Sequence, residues 1–138
     1  MPIILPAGKG KYLNVVGLMT RNNKLFFEVA TTTFNSTKMI EFIERFLQQI
    51  KQKTVIILDN APIHKSKKFM QKVKEWKLQD LYIYFLPPYS PELNIIEILW
   101  RRIKYNWMPL DSYLNFEKLT ENLNYVLNNF GEKYDIKF

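Results

Sequence analysis

Two acidic residues sit where a carboxylate can do chemistry. Asp59 closes the apolar run TVIIL, and Glu97 lies near the start of a helical stretch that follows a proline-rich segment. Carboxylates on rigid elements are what Mg2+ or Mn2+ need, because such ions take hard oxygen ligands. A pair of ions held in this way drives phosphoryl transfer by flanking the attacking and leaving oxygens. Each acid also has a plainer reading. Asp59 in Asp59-Asn60-Ala61-Pro62 can be a turn or capping residue, and Glu97 can pair with Arg101 four positions on. His64 is the sole histidine. It can move a proton or touch a phosphate, and the reading preferred here is a loop histidine that hydrogen-bonds locally and fixes the turn after the strand. Asn60 can support the Asp59 carboxylate or line the site.

Around these acids the charge is positive. The chain has 20 Lys+Arg against 13 Asp+Glu, a net +7. Lys65, Lys67, Lys68, Lys72, Lys74 and Lys77 crowd one segment that holds a single acid, Glu75, and Arg101, Arg102 and Lys104 form a second cluster. Such clusters either follow a polyanion or make a solvated helix face. The chain has no cysteine, which excludes a disulfide framework, a thiolate metal site and a thiol nucleophile. No apolar run is long enough to span a membrane, and the amino-terminal MPIILPAGKGK lacks the charge pattern of a secretory signal. The expected setting is the cytoplasm, with no membrane partner.

The elements that must position these groups follow from periodicity. Tyr12 to Thr20 and Lys24 to Thr31 are strand-like around the turn Arg21-Asn22-Asn23, which predicts an antiparallel hairpin. Ile40, Ile43, Leu47 and Ile50 recur at helical spacing after Asn35 or Ser36. Thr54 to Asp59 reads as a central strand covered on both faces, with its acid at the carboxyl end, where α/β sheets place their sites. A basic helix from Ser66 to Trp76, burying Phe69 or Met70, Val73 and Trp76, leads to a strand at Leu81 to Leu86, and strand–helix–strand predicts parallel pairing. Pro87-Pro88-Tyr89-Ser90-Pro91 predicts a rigid loop. A helix from Leu93 to about Trp107 has the stripe Leu93, Ile96, Leu99 or Trp100, Ile103 and Trp107, with Trp100 and Trp107 in the core. It leaves Asn94, Glu97, Arg101 and Lys104 on another face and ends at Pro109. A last helix starts at Asn115 and has Gly131 as its C-cap. The order is β-β-α-β-α-β-α-α in one domain, residues 1–138.

The segments VIILDNAPIHKS (Val55 to Ser66) and FLPPYSPELNIIEILWRRIK (Phe85 to Lys104) resemble the second and third catalytic blocks of the DDE-type transposases of the mariner-like insertion-sequence superfamily. The resemblance extends to LPAGKGKYLNVVG (Leu5 to Gly17) and reaches the last helix. It implies an α/β, ribonuclease-H-like mixed sheet flanked by helices. It further implies that Asp59 and Glu97 are the second and third acids of a triad that binds Mg2+ or Mn2+. Lys65, Lys67, Lys68, Lys72, Arg101 and Lys104 would contact the DNA backbone, and Asn60 and His64 would support the site. The family's first acid is an Asp on a strand upstream of the hairpin that begins near Tyr12. Glu28 on the second hairpin strand does not match it. The expectation is therefore an amino-terminally truncated catalytic portion without its first strand and without a helix-turn-helix region.

Two functions are expected from this. One is metal-dependent cleavage and strand transfer at terminal inverted repeats and target DNA, by a homodimer or a chain paired with an upstream transposase segment. The other is a non-catalytic fragment that binds DNA or full-length transposase.

Overall fold

Turn residues and alternating apolar positions organise the head of the chain, and helical periodicity takes over from Asn35. The structure, a computed structural model, describes residues 3–6, 11–88 and 93–138. Its elements are β1 (Ile3–Pro6), β2 (Tyr12–Met19), β3 (Leu25–Ala30), α1 (Ser36–Leu47), β4 (Thr54–Leu58), α2 (Lys67–Lys77), β5 (Leu81–Phe85), α3 (Ile96–Arg102) and α4 (Phe116–Asn128). Short 3-10 turns lie at Pro62–His64 and Leu110–Tyr113, and a π-helical turn at Ile103–Trp107. They group into two compact units, one spanning Phe34–Asn94 and the other joining the residues up to Thr33 with Ile95–Phe138.

In the unit Phe34–Asn94, β4 and β5 pair in parallel from Thr54↔Leu81 to Leu58↔Phe85. Parallel strands cannot be joined by a tight turn, so the chain crosses over through α2. Capping sets where the helices start. The Asn35 side chain accepts the Lys38 N–H at 2.9 Å, and Ser66 Oγ accepts the Phe69 N–H at 3.2 Å. Phe69 and Trp76 of α2 are fully buried and meet edge to face, with ring centroids 5.6 Å apart. Ile56 and Leu58 are buried in this unit, as are Phe42 and Ile43 of α1.

The expectation that this strand is covered on both faces is corrected. Val55 and Ile57 are 56% and 52% exposed, and Tyr84, which pairs with Ile57, is 57% exposed. Among the described residues β4 pairs with β5 alone. A continuous β-branched run does not reveal which of its alternating faces is packed.

In the other unit, β1, β2 and β3 form an antiparallel sheet in that order, the hairpin pairing Met19 with Leu25 and Asn14 with Ala30. The strand β1, paired from Ile3↔Val15 to Pro6↔Tyr12, was not visible in the pattern because it is short and bounded by prolines. Leu5, Leu13 and Val15 share a core with Leu99, Trp100 and Ile103 and with Leu119, Leu123, Val126 and Leu127 of α4. The single helix expected from Leu93 to Trp107 is instead α3 followed by the π-helical turn. The Met108 N–H reaches back to Ile103 O at 3.3 Å, and Met108 is extended, the conformation that the ring of Pro109 favours in the residue before it. The expected cap at Gly131 also moves: α4 is capped by Asn129. Pro87 and Pro88 lie in the described residues, whereas Tyr89, Ser90 and Pro91 of the expected rigid loop lie outside them.

One clamp closes this unit. Asn23, left-handed at φ 64°, donates from Nδ2 to Ile136 O at 3.0 Å and accepts the Ile136 N–H at 2.8 Å. Gly131 has φ 94°, and a Cβ there would stand 2.8 Å from the Asn23 carbonyl oxygen. Asn23→Ala removes both bonds and strains the turn, so urea unfolding followed by circular dichroism should show a destabilisation of about 2 to 3 kcal/mol.

Candidate functional site

Asp59 follows Leu58, the last residue of β4, whose carbonyl oxygen accepts the Leu86 N–H at 2.8 Å. The chain then turns tightly. The Ala61 N–H donates to Asp59 Oδ1 at 3.2 Å, the Asx-turn geometry that the residues DNAP favour. His64 closes the turn with its N–H on Ala61 O at 2.9 Å. Its ring Nδ1 lies 3.1 Å from the Asp59 main-chain oxygen and 3.1 Å from Asp59 Oδ1. The histidine is buried at 2% exposure, and its ring packs against Phe69 at 5.6 Å. The turn expected for Asp59 and the local bonding expected for His64 are one arrangement.

The hydrogen bond from His64 is the largest cause holding the Asp59 carboxyl well below the usual carboxylate range, against the opposing push of burial. A half-buried carboxylate that stays ionised is a suitable hard donor for a divalent cation. Asn60, the next residue in the turn, is also half-buried. The sequence reading missed Ala61 and Phe69 as supports of this acid. An Asx-turn pattern signals the first, and nothing local signals the second.

Glu97 belongs to the other unit and sits in the first turn of α3, partly buried. Among the described residues no ion pair ties it to Arg101. Trp100, one turn further on, is seated against Gly17 of β2, where a Cβ would come within 3.1 Å of the indole ring. That close approach fixes α3 on the sheet, so Gly17 positions the helix that carries Glu97. Among the described residues no group of three or more His, Cys, Asp or Glu side chains is arranged to hold a metal ion.

The basic residues differ in what they touch. Lys65 and Lys67 are not buried, and Lys68 is exposed with its Nζ donating to Thr37 Oγ1. Lys72 Nζ is held by Glu44 at 2.8 Å and Glu75 at 3.2 Å, so its charge is already balanced. Arg101 and Lys104 are exposed, and Lys104 lies over the Tyr105 ring at 5.6 Å.

Comparison with known proteins decides the family. The family model described as DDE superfamily endonuclease matches residues 2–120. The chain belongs to that family. Among solved structures, this DDE-family chain is similar to the catalytic core domain of BIV integrase, with TM-score 0.62 and 12% identity over 96% of this chain and 82% of that one. It is similar also to a chain of the simian T-cell lymphotropic virus intasome determined in complex with PP2A regulatory subunit B56 gamma. There the TM-score is 0.58 and the identity 14%, over 99% of this chain and 48% of that one. The fold is thus the ribonuclease-H-like arrangement of integrase catalytic cores. A curated relative, the uncharacterized protein y4pE/y4sA of Sinorhizobium fredii (strain NBRC 101917 / NGR234), is 41% identical over 54 residues. That match spans 39% of this chain and 36% of the relative's length. No described helix is long and apolar enough to cross a membrane.

The lowered Asp59 carboxyl has a sign that can be tested. Folded Asp59 stays ionised below its ordinary 3.8, where the unfolded chain takes up a proton. Its contribution to stability is complete above that pH and is lost as pH falls towards the folded value. Asp59→Asn should flatten the acid limb of the stability profile below pH 3.8 and leave the slope near neutrality unchanged, as read by urea unfolding across pH.

Proposed function

We propose that this chain is the catalytic-core portion of a DNA transposase of the mariner-like insertion-sequence superfamily. It acts in metal-dependent phosphodiester cleavage and strand transfer. The observation that carries the reading is Asp59, held ionised at the carboxyl end of a parallel strand inside the word LDNAPIH. Asp59 and Glu97, assigned by their motifs, hold Mg2+ or Mn2+. The bound ions supply the charge that stabilises phosphodiester hydrolysis and attack by the freed 3′-hydroxyl. The strand ahead of the hairpin, IILP, carries no carboxylate. Asn60 lines the site.

Lys65, Lys67, Lys68, Arg101 and Lys104 neutralise phosphates of the terminal inverted repeats and of target DNA, and Lys72, already paired, contributes less. The protein partner is a second copy or an upstream transposase segment, and the setting is the cytoplasm. The exposed apolar face of β4 favours a second reading: a non-catalytic fragment that binds DNA or pairs with full-length transposase.

Plasmid nicking and DNA retention by the purified chain in Mn2+ separate the two. The catalytic reading expects nicking that Asp59→Asn or Glu97→Gln abolishes while retention persists. Retention without nicking by the unaltered chain supports the fragment, and neither activity at low salt sinks both. Replacing Lys67 and Lys68 by alanine should reduce the slope of log affinity against log salt by about 0.9 for each phosphate that is no longer neutralised, and Lys72→Ala should reduce it by less.

A further inference from the structure

We infer that His64 is a positioning residue, whose Nδ1–H fastens the Asp59 side chain to its own main chain and presents a pre-set carboxylate to the divalent cation. The inference rests on the metal reading of Asp59 and deepens it.

The tautomer follows from the partners. Nδ1 stands 3.1 Å from the Asp59 carbonyl oxygen and 3.1 Å from Asp59 Oδ1. Both are acceptors when the carboxyl is ionised, so Nδ1 carries the hydrogen. Nε2 is buried and has no hydrogen-bond partner among the described residues. A hydrogen there would be a buried donor without a partner, so the partners place the hydrogen on Nδ1 and leave Nε2 bare.

The geometry of the clamp follows from the same distances. One N–H lies between a residue's carbonyl and its own carboxylate, and the Ala61 N–H falls on the same oxygen, Oδ1, at 3.2 Å. Donors on both sides fix the side-chain torsions of Asp59 before any cation arrives. The ring in turn cannot swing away. It packs on Phe69, which is wedged between Trp76 at 5.6 Å and Phe85 at 6.5 Å. Its backbone is fixed as well, because Ser36 Oγ of α1 donates to Ile63 O at 2.9 Å and the Lys65 N–H to Pro62 O at 3.0 Å. Order runs from the aromatic core through one imidazole to one carboxylate, the support that ligand orientation needs.

A merely structural histidine would also stabilise the turn, so the test must read the cation and the proton separately from stability. Because His64 is the sole histidine, a two-bond nitrogen–proton NMR spectrum of the intact chain reports its tautomer without ambiguity. The expected result is a protonated Nδ1 and a bare Nε2. Three variants then probe the role. His64→Asn places an amide N–H where Nδ1 stands, His64→Gln places one where Nε2 stands, and His64→Phe keeps a ring with no donor. Each is first checked by circular dichroism to be folded at the measuring temperature.

Titration with Mn2+, followed by paramagnetic broadening of the Asn60 and Ala61 amides, should give the unaltered chain and His64→Asn similar midpoints. Those of His64→Phe and His64→Gln should be raised about 10-fold or more. A folded His64→Phe that binds as the unaltered chain does, failure of His64→Asn to rescue, or a protonated Nε2 overturns the inference. Absence of broadening in the unaltered chain overturns the metal reading itself and the positioning role with it. The nitrogen spectrum then still judges whether the clamp exists.

Discussion

The parallel pairing of β4 with β5 is the constraint from which the Asp59 site follows. Two strands running the same way must be joined by a crossover, and that crossover must bury one of its own faces on the pair it connects. The segment between Leu58 and Leu81 therefore has to reverse at the carboxyl end of β4, enter a helix, and set Phe69 and Trp76 against the strands. Its reversal is built from Asp59, Ala61 and His64, two of which carry side chains that could do chemistry. Turn formation and presentation of a carboxylate are here the same set of hydrogen bonds, and neither weakens the other.

Glu97 is set by a different device. Its helix is short and has no side-chain cap at its start, so its position is owed to packing. Leu99, Trp100 and Ile103 are buried in the core of their unit, and the missing side chain at Gly17 lets the Trp100 ring approach β2 closely. The π-helical turn that follows is closed by Pro109, and the Tyr113 hydroxyl donates to the Lys104 carbonyl within it at 3.1 Å.

Much of this was legible in the residues. The hairpin turn around Asn23, a helix start at Asn35 or Ser36 and the cap at Asn115 follow from chemistry decided within a few residues, and the parallel pair follows from the order strand, helix, strand. The family, too, was readable, because the words around Asp59 and Glu97 combine turn residues, prolines and acids in an order that chance seldom produces. The local bonding of His64 was expected. Its link to Phe69 was not, since the ring contact depends on how α2 settles on the strands. The strand Ile3–Pro6 was missed because four residues bounded by prolines carry little periodic signal. The exposed face of β4 was misread because Val55 and Ile57 have the composition of core whether or not anything packs on them.

The clamp between Asn23 and Ile136 joins positions 113 residues apart. The unit it closes is discontinuous in the chain, with the whole of Phe34–Asn94 inserted between its two parts. On a ribosome the inserted unit can assemble as soon as β5 has emerged, whereas the sheet of β1 to β3 must wait for α3, α4 and the residues around Ile136 to complete its core. The nascent chain can therefore form the Asp59 turn while the helix that bears Glu97 is still inside the ribosome. The order of translation separates in time two acids that the sequence motifs assign to one reaction.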